Sequence, residues 1–147
     1  MIKKYFTKST MQTNQQREQE EEDCSICNES LPTMESKIAR MYCCGKGTHI
    51  KCRVQFFASS LSDKHKSQCP LCRTNIAVAG SKEDIERLRR WAEEGKGWAQ
   101  NMLGCRYRDG VGVDQSYQQA IELFELAASQ GHAGAQYSLG QMYCLGR

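Results

Sequence analysis

The sequence predicts an α+β chain in two parts, a small metal-organised module followed by an α-helical repeat solenoid. Three observations predict this. Seven of the nine cysteines and two of the three histidines fall within residues 24–79. Two cysteine pairs have the C-x-x-C form, CSIC at Cys24–Cys27 and CPLC at Cys69–Cys72. The last third repeats at a period of 36 residues: Gly95, Ala99, Gln100, Leu103, Gly104, Tyr107 and Gly110 recur at Gly131, Ala135, Gln136, Leu139, Gly140, Tyr143 and Gly146.

A length of 147 residues suits one ordinary domain or two small ones. No apolar run approaches the roughly 18 residues of a membrane span, so no membrane partner is expected. The N-terminal MIKKYFTKSTMQTN has lysines but no apolar segment behind them, which makes a poor signal peptide. The cytoplasm or nucleus is the expected location. Thiols stay reduced there, so the cysteines, odd in number, read as metal ligands rather than disulfides.

Residues 1–23 are polar and end in the acidic run EQEEED without a sustained apolar stripe. They read as a disordered polar, acidic tail, with a short solvated helix as the alternative. Residues 24–79 carry eight Lys/Arg against three Asp/Glu, a net +5, while the segments on either side each carry −1. Such a basic middle raises a nucleic-acid-binding zinc module as one reading. Seven thiolates on two Zn²⁺ would reduce that charge to about +2, which weakens the case for nucleic acid.

The chemistry of the module lies in CSIC, CPLC and, between them, CCGKGTHIKC from Cys43 to Cys52. A C-x-x-C turn aims two sulfurs at one ion, and closed zinc sites use four Cys/His ligands. A thioredoxin-like redox site would need a βαβ context that is missing here. About fifty residues with few large apolar side chains cannot build an adequate core, so metal binding is expected to supply folding energy.

A helix is expected after the module. Ser81 and Asp84 fit a capping box, Ile85, Leu88, Trp91 and Ala92 recur at helical spacing, and Gly95 can end it. The repeat period suggests helix-turn-helix units. DGVGVD (Asp109–Asp114) reads as a loop, and the helix after it carries the stripe Ala120, Ile121, Leu123, Phe124 and Ala127. The small residues Ala99, Gly104, Ala128, Ala135 and Gly140 would let helices approach closely.

On these motifs, residues 95–147 resemble the Sel1-like repeat, a relative of the tetratricopeptide repeat. The matching features are A-x-x-x-LG-x-x-Y-x-x-G-x-GV and A-x-x-x-x-x-x-AA-x-x-G. The resemblance implies helical repeats over 81–147, with one full repeat at about 99–134 flanked by partial ones, and a surface for protein partners. A solenoid generally needs about three repeats to bury its core. Either the repeats continue beyond this sequence, or zinc and a partner supply the remaining stability.

Residues 24–76 resemble the RING finger, whose eight ligands form four pairs in a cross-braced arrangement around two zinc ions. The resemblance implies Cys24, Cys27, His49 and Cys52 on the first zinc, and the second pair together with Cys69 and Cys72 on the other. The second pair departs from the family, which commonly has C-x-H or C-x-C. From Cys44 that spacing lands on Lys46, a cation without a lone pair for zinc. Three arrangements remain: Cys43 and Cys44 both bind, which is favoured; one of them binds with His65 or water; or the site is weak. Adjacent side chains in extended backbone point to opposite faces, so a turn at Gly45 would be needed for both.

The family resemblance further implies an E3 ubiquitin-protein ligase that recruits a ubiquitin-charged E2 enzyme without a covalent intermediate, so no cysteine is expected to be a catalytic nucleophile. The expected E2 contacts are Ile26, Phe56 (where the family often has tryptophan, supplemented by Phe57 or Leu61), Pro70 and Arg73. A substrate or scaffold protein would bind the repeats. The alternative is a non-enzymatic zinc-dependent interaction adaptor.

Overall fold

A computed structural model describes residues 22–32 and 37–146. Most of the expected N-terminal tail lies outside the described residues. Its last two residues do not behave as a tail. The Glu22 carboxylate accepts hydrogen bonds from Arg40 and from the Gly47 N–H, and Asp23 bridges Ser30. The module therefore begins before Cys24.

The module is built on a two-stranded antiparallel sheet, β1 (Ile38–Arg40) and β2 (Gly47–His49), paired in register from Ile38 with His49 to Arg40 with Gly47. β2 runs directly into helix α1 (Ile50–Ala58), and a single-turn α2 (Asp63–Lys66) follows. Neither helix buries a residue. The side chains that are buried here include Cys24, Cys69, Met41 and Thr48, whose hydroxyl donates to the Ala39 carbonyl.

The helical part comprises α3 (Lys82–Glu93), α4 (Gly97–Asp109), α5 (Tyr117–Ser129) and α6 (Ala133–Cys144), each packed on the next in chain order. α3 starts where the capping box indicates. Ser81 Oγ accepts from the Asp84 N–H at 3.2 Å, while the Asp84 carboxylate reaches back to the Gly80 N–H at 2.9 Å. That carboxylate is buried, and Arg106 of α4 pairs with it at 3.0 Å. A buried charge requires such a partner.

Two apolar clusters hold the stack. Ile85, Leu88, Ala92, Ala99, Leu103 and Leu123 form the first, and Ala120, Phe124, Ala127, Ala135 and Met142 the second. The stripe read from α5 is thus the buried one, with Ile121 at its edge. Gly104 faces the Phe124 ring so closely that an added Cβ would stand 2.7 Å from it. Its repeat counterpart Gly140 meets nothing within 4 Å and is exposed, contrary to the close approach expected there. Among the described residues no helix packs on the matching face of α6, and Tyr137 and Tyr143 are exposed on that helix.

The two parts touch. Tyr42 of the module stacks on Trp98 of α4, with ring centroids 6.0 Å apart and planes 13° from parallel. A cleft of about 910 Å³ separates β1 and α1 from α4 and the start of α6; Val54, Phe57, Trp98, Met102 and Gly134 are among its walls.

Candidate metal centre

Two of the module's turns are built alike. In the first, the Cys24 N–H donates to the Glu29 carbonyl and the Cys24 carbonyl accepts from the Asn28 N–H, both at 2.8 Å. In the other, the Cys69 N–H donates to the Thr74 carbonyl at 2.8 Å and the Cys69 carbonyl accepts from Arg73 at 2.9 Å. Asn28 and Arg73 each take φ 58°, and each turn is closed by an isolated bridge, Asp23 with Ser30 and Gln68 with Asn75. This geometry brings the two sulfurs of each C-x-x-C to one side.

The adjacent cysteines use a different device. The Met41 carbonyl accepts from both the Cys44 N–H at 3.2 Å and the Gly45 N–H at 2.7 Å. Gly45 then turns at φ 70°, a left-handed conformation that suits glycine. The backbone is no longer extended there, so Cys43 and Cys44 need not point to opposite faces. Lys46 offers no ligand. Its backbone N–H donates to the Cys44 sulfur, and its carbonyl accepts from Met41 at 3.0 Å.

The donor atoms gather into two tetrads, each with all four atoms within 4.8 Å of one another: Cys24, Cys27, His49 and Cys52, and Cys43, Cys44, Cys69 and Cys72. The tetrads interleave along the chain. In the first, His49 Nδ1 lies 3.4 Å from Cys27 Sγ and 3.9 Å from Cys52 Sγ. In the second, Cys44 and Cys69 sulfurs are 3.9 Å apart, and Cys43 and Cys72 sulfurs 3.3 Å. A tetrahedral ion with bonds of about 2.3 Å to sulfur has ligand–ligand edges of roughly 3.8 Å. All nine cysteines are free rather than disulfide-bonded. Each tetrad could hold a metal ion.

Electrostatics within the tetrads favour a cation. Burial opposes ionisation of Cys24, but N–H groups of Cys27, His49 and Ile26 outweigh it and bring the thiol down to about 6. Cys72 also falls to about 6, against the effect of burial, through the Thr74 hydroxyl and N–H and neighbouring thiols. Three thiols, Cys52, Cys43 and Cys44, move the other way. Desolvation and the neighbouring sulfurs Cys27 and Cys24 push Cys52 up to about 11. Burial, then hydrogen bonding with Cys72 and Cys69, pushes Cys43 up. Burial and the charges of Cys69 and Cys72 raise Cys44. The first thiolate in each tetrad thus hinders the next, and a divalent ion between them removes that repulsion.

The other residues named from sequence are placed as follows. His65 joins neither tetrad; its exposed ring bonds to the Ser62 hydroxyl at 2.6 Å. Ile26 and Arg73 are exposed, in the two similar turns, while Pro70 is half-buried. Phe56, half-buried on α1, packs edge-on against Phe57 with centroids 5.3 Å apart. Apart from these residues and outside both tetrads, Cys105 is half-buried in α4, and burial raises its thiol, which argues against a nucleophilic role.

The helical part carries Sel1 repeats. The Sel1 repeat family model matches residues 99–132 and 133–147, about a third of the chain. Curated proteins and solved structures gave no match. Sel1 repeats suggest protein–protein interaction, and among the described residues no helix is long and apolar enough to cross a membrane.

The structure also shows residues that sequence reasoning missed. Glu22 fastens the β-hairpin that delivers His49. Trp91, read as a member of an apolar stripe, does pack against the first apolar cluster, and it also donates its indole N–H to the Tyr42 carbonyl at 2.7 Å, beside Cys43. No local pattern signals a contact made across 49 residues.

Proposed function

We propose that the chain is a RING-type E3 ubiquitin-protein ligase or ligase subunit, working in the cytoplasm or nucleus, that pairs an E2-recruiting zinc module with partner-binding Sel1 repeats. The single observation that carries this reading is the interleaving of two four-donor tetrads along one short segment, first pair with third and second with fourth. A β-hairpin leading into a helix between the tetrads supports it.

Zinc suits the donors. Seven sulfurs and one imidazole in two closed sets of four match structural zinc, and the histidine makes iron–sulfur chemistry less natural. Bound zinc supplies cross-links that hold the fold, without redox chemistry. The work of the module is then positioning. Ile26 and Pro70 present an apolar surface from the two similar turns, and Phe56 adds to it from α1. Arg73, exposed and planar, can donate to ubiquitin and E2 together. Holding a flexible ubiquitin conjugate in a reactive pose lowers the entropic part of the barrier to attack by a substrate lysine. The Sel1 repeats, with the cleft beside α1, would hold the protein that carries that lysine.

The test is reconstitution with E1, a panel of E2 enzymes, ubiquitin and ATP. Self-conjugates or chains are expected with at least one E2, and Ile26→Ala and Arg73→Ala should abolish them while metal content stays unchanged. Failure with every E2 while two metals remain bound would contradict the ligase and favour the non-enzymatic adaptor.

A further inference from the structure

We propose that helix α3, ahead of the Sel1 repeats, is a working part of the second metal site: Arg87, Arg90 and Trp91 are positioning residues that set its affinity and leave the first site alone. This rests on the two-metal reading above, and adds to it that the two parts of the chain meet at one of those metals.

Among the described residues, three hydrogen bonds run from α3 side chains to the module, and all three end beside the second tetrad. The Trp91 indole donates to the Tyr42 carbonyl at 2.7 Å. The Arg90 guanidinium donates to the carbonyl of Cys43 itself at 3.4 Å. Arg87 donates to the Asn75 carbonyl at 2.9 Å, on the turn that carries Cys69 and Cys72. The helix thus holds both turns that must converge on one ion.

The grip is also steric. The Trp91 ring covers Gly45 so closely that an added Cβ would lie 2.9 Å from it. Arg90 lies over the same indole at 5.1 Å from its centroid, and Glu83 pairs with Arg87 one turn away. Gly45 is the residue whose turn allows adjacent cysteines to share an ion. Left free, a glycine there samples many conformations, and only some of them keep both sulfurs together. The helix removes that freedom before any metal arrives.

The first tetrad needs no such help. Its turn is held from within the module, by Ser25 on the Gly47 carbonyl and by the His49 N–H on the Cys24 sulfur at 3.3 Å. Outer partners of metal ligands are typically worth about 10–100-fold in affinity. At the second site part of that contribution comes from outside the module.

The test uses the full chain loaded with zinc. Native mass spectrometry counts the ions, and competition with a chromophoric chelator measures the affinity of each. Arg87→Ala combined with Arg90→Ala removes one half-buried and one exposed guanidinium, neither of them part of an apolar cluster, and Trp91→Phe keeps a ring while removing the N–H. Each variant is expected to lower one affinity about 10-fold or more. In a Cys24→Ser background the surviving ion should show that loss, and in a Cys69→Ser background it should not. Arg89→Ala, whose side chain bonds Tyr107 instead, should match the parent. Unchanged affinities, or equal weakening of both ions, would overturn the proposal. A parent chain that binds no metal would overturn the two-metal reading and this inference with it.

Discussion

The module and the repeats hold together by different means. In the helical part, α3 and the repeats together, cohesion comes from hydrocarbon: Leu88, Leu103 and Phe124 are fully buried, and five further side chains of the two clusters are alanines. In the module, α1 and α2 bury nothing, and sulfur occupies the place of a core. The difference teaches where each part is vulnerable. One should fail when its ion is removed, the other when its packing is disturbed.

Chelation is the most severe way to separate them. Structural zinc contributes an apparent 10–16 kcal/mol in small zinc domains, about the whole stability of an ordinary domain. Removing it at neutral pH should abolish amide protection across residues 22–76 and leave α4–α6 protected, as read by hydrogen exchange. Acid should act in the same direction, because protons compete for the thiolates. Protection lost equally from both parts would erase the distinction.

Packing defects should show the opposite selectivity. Phe124→Ala is expected to cost about 3–5 kcal/mol in denaturant unfolding of the repeats, while the zinc count stays the same. Gly104→Ala forces a methyl group against the Phe124 ring and should cost about 1–3 kcal/mol. Ser81→Ala removes the α3 cap and should cost about 1 kcal/mol. The smallest effect has the reverse sign. Gly140→Ala, at the equivalent repeat position but in open space, should stabilise by roughly 0.5–1 kcal/mol, since alanine is the better helix former. A loss of stability there would mean that α6 is covered on that face.

The same contrast explains how much could be read in advance. Periodicity is a local signal, so Ile85, Leu88, Phe124 and the Ser81 cap were legible, as was the repeat itself. The C-x-x-C pairs were legible because spacing alone dictates which sulfurs can share an ion. Cys43 and Cys44 were only half legible: what decides them is the turn at Met41–Gly45, and a sequence shows only that a glycine permits one. Gly104 and Gly140 read as equivalent, yet only one has a neighbour, because periodicity describes a helix and not what packs against it. Glu22 was lost in an acidic run, though one of its partners, Arg40, stands 18 residues away.

The most direct measurement is the zinc count of the purified chain by native mass spectrometry, taken alongside Cys24→Ser and Cys43→Ser. Two interleaved tetrads predict two ions in the parent, and one in each variant. A parent with a single ion, or a Cys43→Ser variant that still holds two, would contradict the paired-cysteine arrangement on which the second site depends.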